Sequence, residues 1–428
     1  MIYYSLNHQS PRVSFAEAAV KGQAPDKGLY FPEHIPVLPK DFIQHLKSKS
    51  KEDIGFTVMK PYVGESIPDD VLQQIIAETI NFDFPLVQIS DSISALELFH
   101  GPTLAFKDVG ARFMSRCLGY FNRHSKTHTT VLVATSGDTG GAVANGFLGV
   151  DGVDVIILYP SGKVSPVQEL QLTTPGRNIT AIEVQGNFDD CQAIVKQAFA
   201  DETLNKKYAL TSANSINVAR WLPQQLYYFY ACQQWQFDEP PVICVPSGNF
   251  GNICAGIVAY MSGLPVKHFI AACNANDTVP AFLQTGAYKA RQAVATISNA
   301  MDVGNPSNFV RIMELFQQKF DGLKSMLGSV SIDDETTKAT IKTVKEQFNY
   351  LLDPHGAVAY KALADYLSGN EKGFILETAH PVKFPETVEA VTGETIKIPE
   401  SVQHLLSKTK KSVMLTSSFE AFKDWMMR

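Results

Sequence analysis

Several things are scarce in this 428-residue sequence. There are six cysteines (Cys117, Cys191, Cys232, Cys244, Cys254 and Cys273), and no two form a Cys-x-x-Cys pair. That spacing excludes a disulfide framework or a zinc knuckle, so the expectation is six small buried hydrophobes and no metal. Positive charge is not in excess: 37 Lys and Arg stand against 43 Asp and Glu, for a formal net charge of -6. Without a basic footprint, nucleic acid is not an expected partner. The longest apolar runs, such as "VICV" and "VIILY", are strand-sized, which excludes a membrane-spanning helix. "MIYYSLNHQSPRVSF" has neither a basic start nor an apolar core, so no secretory signal is expected and the protein is placed in the cytoplasm. Internal repeats and low-complexity segments are missing, as are Gly-x-Gly-x-x-Gly after a strand and Gly-x-x-x-x-Gly-Lys-Ser/Thr. The last two absences argue against a dinucleotide fold and a P-loop.

What is there is a globular composition, 45% hydrophobic and 19% charged, at about three times the usual domain length. From residue 129 onward, strand, loop and helix alternate. "TTVLVATS" leads to "GDTGGAVANGFLG", "VDVIILYPSG" to "SPVQELQLTT", and "ITAIEVQG" to one amphipathic helix over "NFDDCQAIVKQAFADETLNKKYA". "PPVICVPSG" then precedes "NFGNICAGIVAYMSG", "HFIAACN" precedes "DTVPAFLQTG", and "GFILETAH" precedes "PETVEAVTG". Buried β-branched strands between helices imply an α/β protein with mainly parallel sheets. Two sheets suit the length: a smaller α/β domain over 81–210, a larger one over 211–428, and an N-terminal segment, 1–80, packing on both. The aromatic run "LYYFYACQQW" reads as one buried helix.

Ligands in such folds sit beyond the carboxyl ends of the strands. Three stretches fall there. "ATSGDTGGA" offers the hydroxyls of Thr135, Ser136 and Thr139, and "PSGNFGN" offers glycines and a helix N-terminus suited to an anion, most simply a phosphate. In "LETAHP", strand alternation points Glu377 and Thr378 to opposite faces. "HGPTLAFKDVGARFM" adds Lys107, behind an apolar stretch and at the start of a helix that Asp108 is expected to cap. Apolar surroundings and the helix dipole both disfavour the ammonium, and a free amine is a nucleophile for carbonyls. A poised lysine, a phosphate loop and a strand-end hydroxyl together are the parts needed to hold pyridoxal 5'-phosphate (PLP).

"FHGPTLAFKD" resembles the cofactor-lysine motif of the fold-type II PLP enzymes, the serine/threonine dehydratase-like group. With "TSGDTGGA", "YPSGKVSPVQELQ", "NSINVARWLPQ", "VPSGNFGN", "DPHGA", "ETAHPVKFPE" and the N-terminal "YYSLNHQSPRVSFAEAAVKGQAPDKGLYFPEHIP" in order, the whole chain is similar to the threonine synthase family, in its longer bacterial and fungal branch. The resemblance implies two α/β domains with the cofactor in the cleft between them. It implies that Lys107 is the catalytic lysine, carrying PLP as a Schiff base. Gly248, Asn249, Phe250, Gly251 and Asn252 would hold the cofactor phosphate, and Thr378 the pyridine nitrogen. The implied substrate is O-phospho-L-homoserine, converted to L-threonine and phosphate. Its α-carboxylate would meet Thr135, Ser136 and Thr139, and its phosphate Ser215, Asn217, Arg220 and Lys163. Asn217 and Arg220 are three apart, on one face of a helix. Asp138 stands where related enzymes often have Asn, which leaves the partner of the cofactor's 3'-oxygen open. The implied assembly is a monomer or homodimer. A dehydratase, a phospho-lyase releasing 2-oxobutyrate, an inactive PLP-binding relative and a nucleotide-dependent oxidoreductase are the alternatives.

Overall fold

Apolar strands that must be covered on both faces lead here to two parallel sheets. In the computed structural model, which describes residues 1–123 and 128–428, five strands form one sheet in the order Val413–Thr416, Ile179–Gln185, Val153–Pro160, Thr129–Ala134, Ala209–Ser212, all parallel. Every residue of Thr129–Ala134 is buried, as a central parallel strand requires. Six strands form the second sheet: Leu327–Ser331, His268–Cys273, Val242–Pro246, Gly373–Glu377, Ile93–Glu97 and Leu86–Gln88. Only the last pair in it is antiparallel.

The sheets do not follow the contiguous ranges 81–210 and 211–428. Leu86–Gln88 and Ile93–Glu97 pair in the six-stranded sheet, beside Gly373–Glu377. The chain's last strand, Val413–Thr416, returns to the five-stranded sheet along Ile179–Gln185. Strand pairing is a non-local choice, and a linear reading does not reveal it. A second difference lies in the stretch 187–209. The chain there forms two helices, Phe188–Ala200 and Glu202–Lys207, because Asp201 is extended and its carboxylate accepts from the amides of Thr203 and Leu204, each at 2.9 Å. An acceptor at that position caps a new helix rather than continuing the old one.

Residues 1–80 build a small antiparallel sheet, Val13–Ser14, Ile2–Ser5 and Tyr30–Pro32, followed by helices. They pack on the core: Phe15 meets Phe113 and Phe121 at ring-centre distances of 6.4 and 6.3 Å, and the Tyr3 hydroxyl donates to the Tyr62 carbonyl. The aromatic run forms the helix Gln225–Gln234, buried from Gln225 to Cys232. All six cysteines are buried and free. Among the described residues no helix is long and apolar enough to cross a membrane.

Two helices matter most for the site. Lys107–Asn122 starts at the lysine itself, and Asp138–Phe147 packs on it, with Gly146 against Ala111. On another face of the first helix, Gly110 touches the segment Val218–Trp221, where an added Cβ would come 2.4 Å from the Arg220 carbonyl oxygen. Gly110→Ala should therefore reverse the usual helix preference for alanine, which is worth about 1 kcal/mol. We expect a loss of ~1–3 kcal/mol from overpacking against backbone, read as a lower thermal midpoint than that of the parent chain. An unchanged or higher midpoint would mean that the contact yields easily.

Candidate active site

The turn before Lys107 is held by specific bonds. Asp108 does not cap the helix, because it is the second helical residue. Its buried carboxylate instead accepts from the Thr103 amide at 2.9 Å and the Thr103 hydroxyl at 2.6 Å, closing the turn Gly101–Ala105 on itself. Leu104, inside that turn, has a φ of 58°. Phe106 donates its amide to the Thr378 carbonyl at 2.9 Å, and His380 donates to Leu104 at 3.1 Å. Lys107 is thereby fastened beside the end of the strand that carries Thr378.

The second loop follows Val242–Pro246. Phe250 is left-handed, with a φ of 61°, and the helix Gly251–Met261 begins after it. A Cβ on Gly248 would stand 2.8 Å from the Ala300 carbonyl and from Met301 Cα, so backbone passes where a side chain would block it. Asn308 donates to the Asn249 carbonyl through both its amide and its side chain. The Asn252 side chain donates to Pro246 O at 2.9 Å, so that residue contributes its backbone to the loop. Among the described residues, the amides of Gly248 through Asn252 meet no acceptor in the protein.

A partly open cavity of about 100 Å³ lies between these loops. Lys107, Thr139, Ser215, Arg220, Thr378 and all of Gly248–Asn252 line it. Burial, with the charges of Arg220 and Lys383 behind it, lowers the Lys107 amine to about 8, while Asp138 opposes the shift. Its Nζ has no hydrogen-bond or ion-pair partner among the described residues and lies 5.7 Å from the Phe106 ring centre. Arg220 is 4% exposed. It donates through Nη1 to Ala213 O at 2.7 Å, its Nε has no partner, and no carboxylate pairs with it among the described residues. Burial lowers it too, to about 10. The Ser215 hydroxyl accepts from Asn308 Nδ2.

Other expected site residues stand elsewhere. Asn217 is fully buried outside the cavity lining: it caps Val218–Trp221 through Ala219 N, and its Nδ2 donates to Ala19 O at 2.8 Å and Ser212 O at 3.2 Å. Its spacing from Arg220 is helical, but a capping side chain turns back on its own helix. The Thr135 hydroxyl accepts from the amides of Gly137 and Gly140 behind the lining. Ser136 is half-buried beside it, and Lys163 is exposed on a turn.

The residues 89–376 match the model of the pyridoxal-phosphate dependent enzymes, residues 2–80 that of the threonine synthase N terminus, and residues 356–426 the threonine synthase C-terminal model. The threonine synthase of Escherichia coli is 44% identical over 429 residues, covering 100% of this chain and 99% of that one. The chain belongs to the threonine synthase family of PLP-dependent enzymes. Among solved structures, the E. coli threonine synthase superposes with a TM-score of 0.93 at 43% identity, over 100% of this chain and 99% of that one. A PLP-bound threonine synthase from Brucella melitensis gives 0.93 at 35%, over 99% and 98%.

The residues of this family member fit the cofactor. Unpartnered amides and a cradle that a Cβ would fill suit its phosphate, and an unpaired amine of lowered basicity suits its aldehyde. Glu377 turns away from Thr378, to accept from the Asp353 amide at 2.8 Å. Three residues that the sequence reading did not single out take part. His355 lines the cavity, its ring held by Asp353 Oδ2 at 2.7 Å and by the Ala300 amide at 3.2 Å. "DPHGA" could have shown it, since Asp-Pro marks a helix start at 353–354. Arg311 is fully buried and donates to the carbonyls of Ser215, Ile216 and Tyr30, which fixes the segment before Arg220. Lys383 pairs with Asp138.

A lysine held at about 8 is roughly one-tenth neutral at pH 7. Imine formation needs the neutral amine, so cofactor uptake by the cofactor-free protein should rise about tenfold from pH 6 to 7 and level off above 8. An amine of ordinary basicity would keep accelerating beyond pH 10 in the same spectroscopic assay.

Proposed function

We propose that this enzyme acts on O-phospho-L-homoserine, and that the lining residues named above divide its groups between them. The observation that carries the reading is Arg220: a buried guanidinium with, among the described residues, a free Nε and no acid partner, in the same cavity as Lys107 and a separate phosphate-type loop. A charge kept out of water without a counter-ion is stable only where an anion arrives. With the glycine loop given to the cofactor phosphate, Arg220 and Ser215 remain for a second phosphate.

PLP, when bound, supplies a carbonyl for the substrate amine and a sink for electrons. Gly248–Asn252 would hold its phosphate through their amides, and the Thr378 hydroxyl would meet its ring nitrogen. The start of the helix Asp138–Phe147, with Thr139 on the lining and Ser136 beside it, receives the α-carboxylate. Lys107 Nζ is the base placed to take the Cα proton, then a Cβ proton, and to return protons to Cγ and finally to Cα. The C–O bond at Cγ breaks, phosphate leaves with the electron pair into the Arg220 site, and a water gives its hydroxyl to Cβ and its remaining proton to the released phosphate. One amine fixed by its turn serves each transfer at carbon, which is the advantage of a positioned base. We further place the enzyme in the cytoplasm, where its thiols stay reduced, as a monomer or homodimer.

The deciding assay supplies O-phospho-L-homoserine to the PLP-loaded protein. Threonine and phosphate in equal amounts are expected, and Lys107→Ala should give neither product nor a borohydride-reducible cofactor link. Phosphate with 2-oxobutyrate would move the enzyme to the phospho-lyases, and no phosphate would remove the substrate.

Arg220→Ala should raise KM for this substrate about 10- to 100-fold, the worth of a hydrogen-bonded charge near 1.5–3 kcal/mol, with cofactor binding retained. An unchanged KM would move the phosphate site elsewhere.

A further inference from the structure

Lys383 ends the short turn Pro381–Lys383, just beyond Thr378 in the chain, and its side chain is wholly buried. Its Nζ lies 2.7 Å from Asp138 Oδ1. Gln168 Nε2 donates to the same oxygen at 2.9 Å. Asp138 opens the helix packed against that of Lys107, so the pair joins an element of the five-stranded sheet to the segment that leaves the six-stranded one. As a stability device this pair is a poor choice. Buried ion pairs lose in desolvation much of what they gain, and apolar residues of similar volume serve as well or better. A different reason for it is visible in the charges around Lys107.

The charged groups facing Lys107 are Asp138, Arg220 and Lys383. Asp108, its neighbour in the chain, is turned into the Thr103 turn. Those facing Lys383 are Asp138, Lys107, Asp108 and His380, the last lowered to about 4 by burial and by His100 and therefore neutral at pH 7. One carboxylate, Asp138, thus faces two buried amines. Both amines, with hydrogen bonds from Lys383 and Gln168, hold Asp138 at about 2 in spite of its burial.

We propose that Lys383 is a positioning residue whose ammonium takes up the Asp138 carboxylate and so leaves the Lys107 amine without an ion-pair partner. With Lys383 gone, Asp138 has Lys107 as its remaining cation, and the amine that should attack the cofactor is tied up as a charged partner. Two effects act in the same direction: a repelling charge disappears and an attracting one is released. The inference rests on the reading of Lys107 as the cofactor amine.

The test follows PLP uptake by the full-length, cofactor-free chain against pH, in the parent, Lys383→Met, Lys383→Arg and the double variant Asp138→Asn with Lys383→Met. All four are compared at each pH, so the ionisation of PLP itself cancels. Lys383→Met should move the midpoint of uptake up by a pH unit or more and slow capture at pH 7 about tenfold. Lys383→Arg should keep the parental midpoint, and adding Asp138→Asn to Lys383→Met should bring it back down. That recovery separates positioning from a merely structural role, which would lower thermal stability in every variant without moving the midpoint. If Lys383→Met does not fold, Lys383→Gln keeps the hydrogen bond without the charge and takes its place. A midpoint that stays or falls in the folded single variant overturns the proposal. Failure of the parent chain to capture PLP through Lys107 would instead remove the reading beneath it.

Discussion

Ala213 O is the hydrogen-bond acceptor that the protein gives the Arg220 side chain, and no acid reaches it among the described residues. Away from water this is an unstable way to keep a guanidinium, and burial lowers it to about 10 as a result. Much of the surrounding structure follows from having to hold it in place. Arg311 grips the carbonyls of Ser215 and Ile216, the Gln224 side chain grips the carbonyl of Arg220 itself, and Asn217 ties the same turn to Ala19 in the N-terminal region. Among the described residues the scaffold supplies geometry and no counter-charge, which the proposed phosphorylated substrate would bring.

The same economy governs the loops. Leu104 and Phe250 are non-glycine residues in the left-handed region, one in the lysine turn and one in the phosphate loop. Such conformations persist only where neighbours over-determine them, and they gather at sites. Leu104 is fixed by the bonds of its turn with Thr378 and His380, and Phe250 by edge-on packing against Phe309 at 5.7 Å. Strain at these two points aims the amine and the loop amides into one cavity.

Much of this was legible in the chain. "TTVLVA", "VICVP" and "GFILE" read as buried strands because nothing polar interrupts them, and the glycine loop after "VICVP" reads as an anion site because a helix start follows. The opposition of Glu377 and Thr378 follows from alternation alone. Where the reading differed, the deciding partner was distant or the local rule was ambiguous. Ile93–Glu97 joins the sheet of Gly373–Glu377, some 280 residues on, and no local signal carries that pairing. Asp108 looked like a cap, yet the turn before it offered Thr103 as a better donor. Asn217 has helical spacing from Arg220, but spacing does not tell a cap from a face. Lys383 sits between Val382 and Phe384 without periodicity, and its partner is 245 positions away.

At Gly110 the helix that begins with Lys107 rests directly on the backbone of Arg220, with no side chain in between. The backbone segments that carry the Lys107 amine and the Arg220 guanidinium are therefore held at a fixed separation, which leaves only the two side chains to adjust. A substrate of different length would have to be met by the reach of those two side chains, because the segments beneath them have no room to slide.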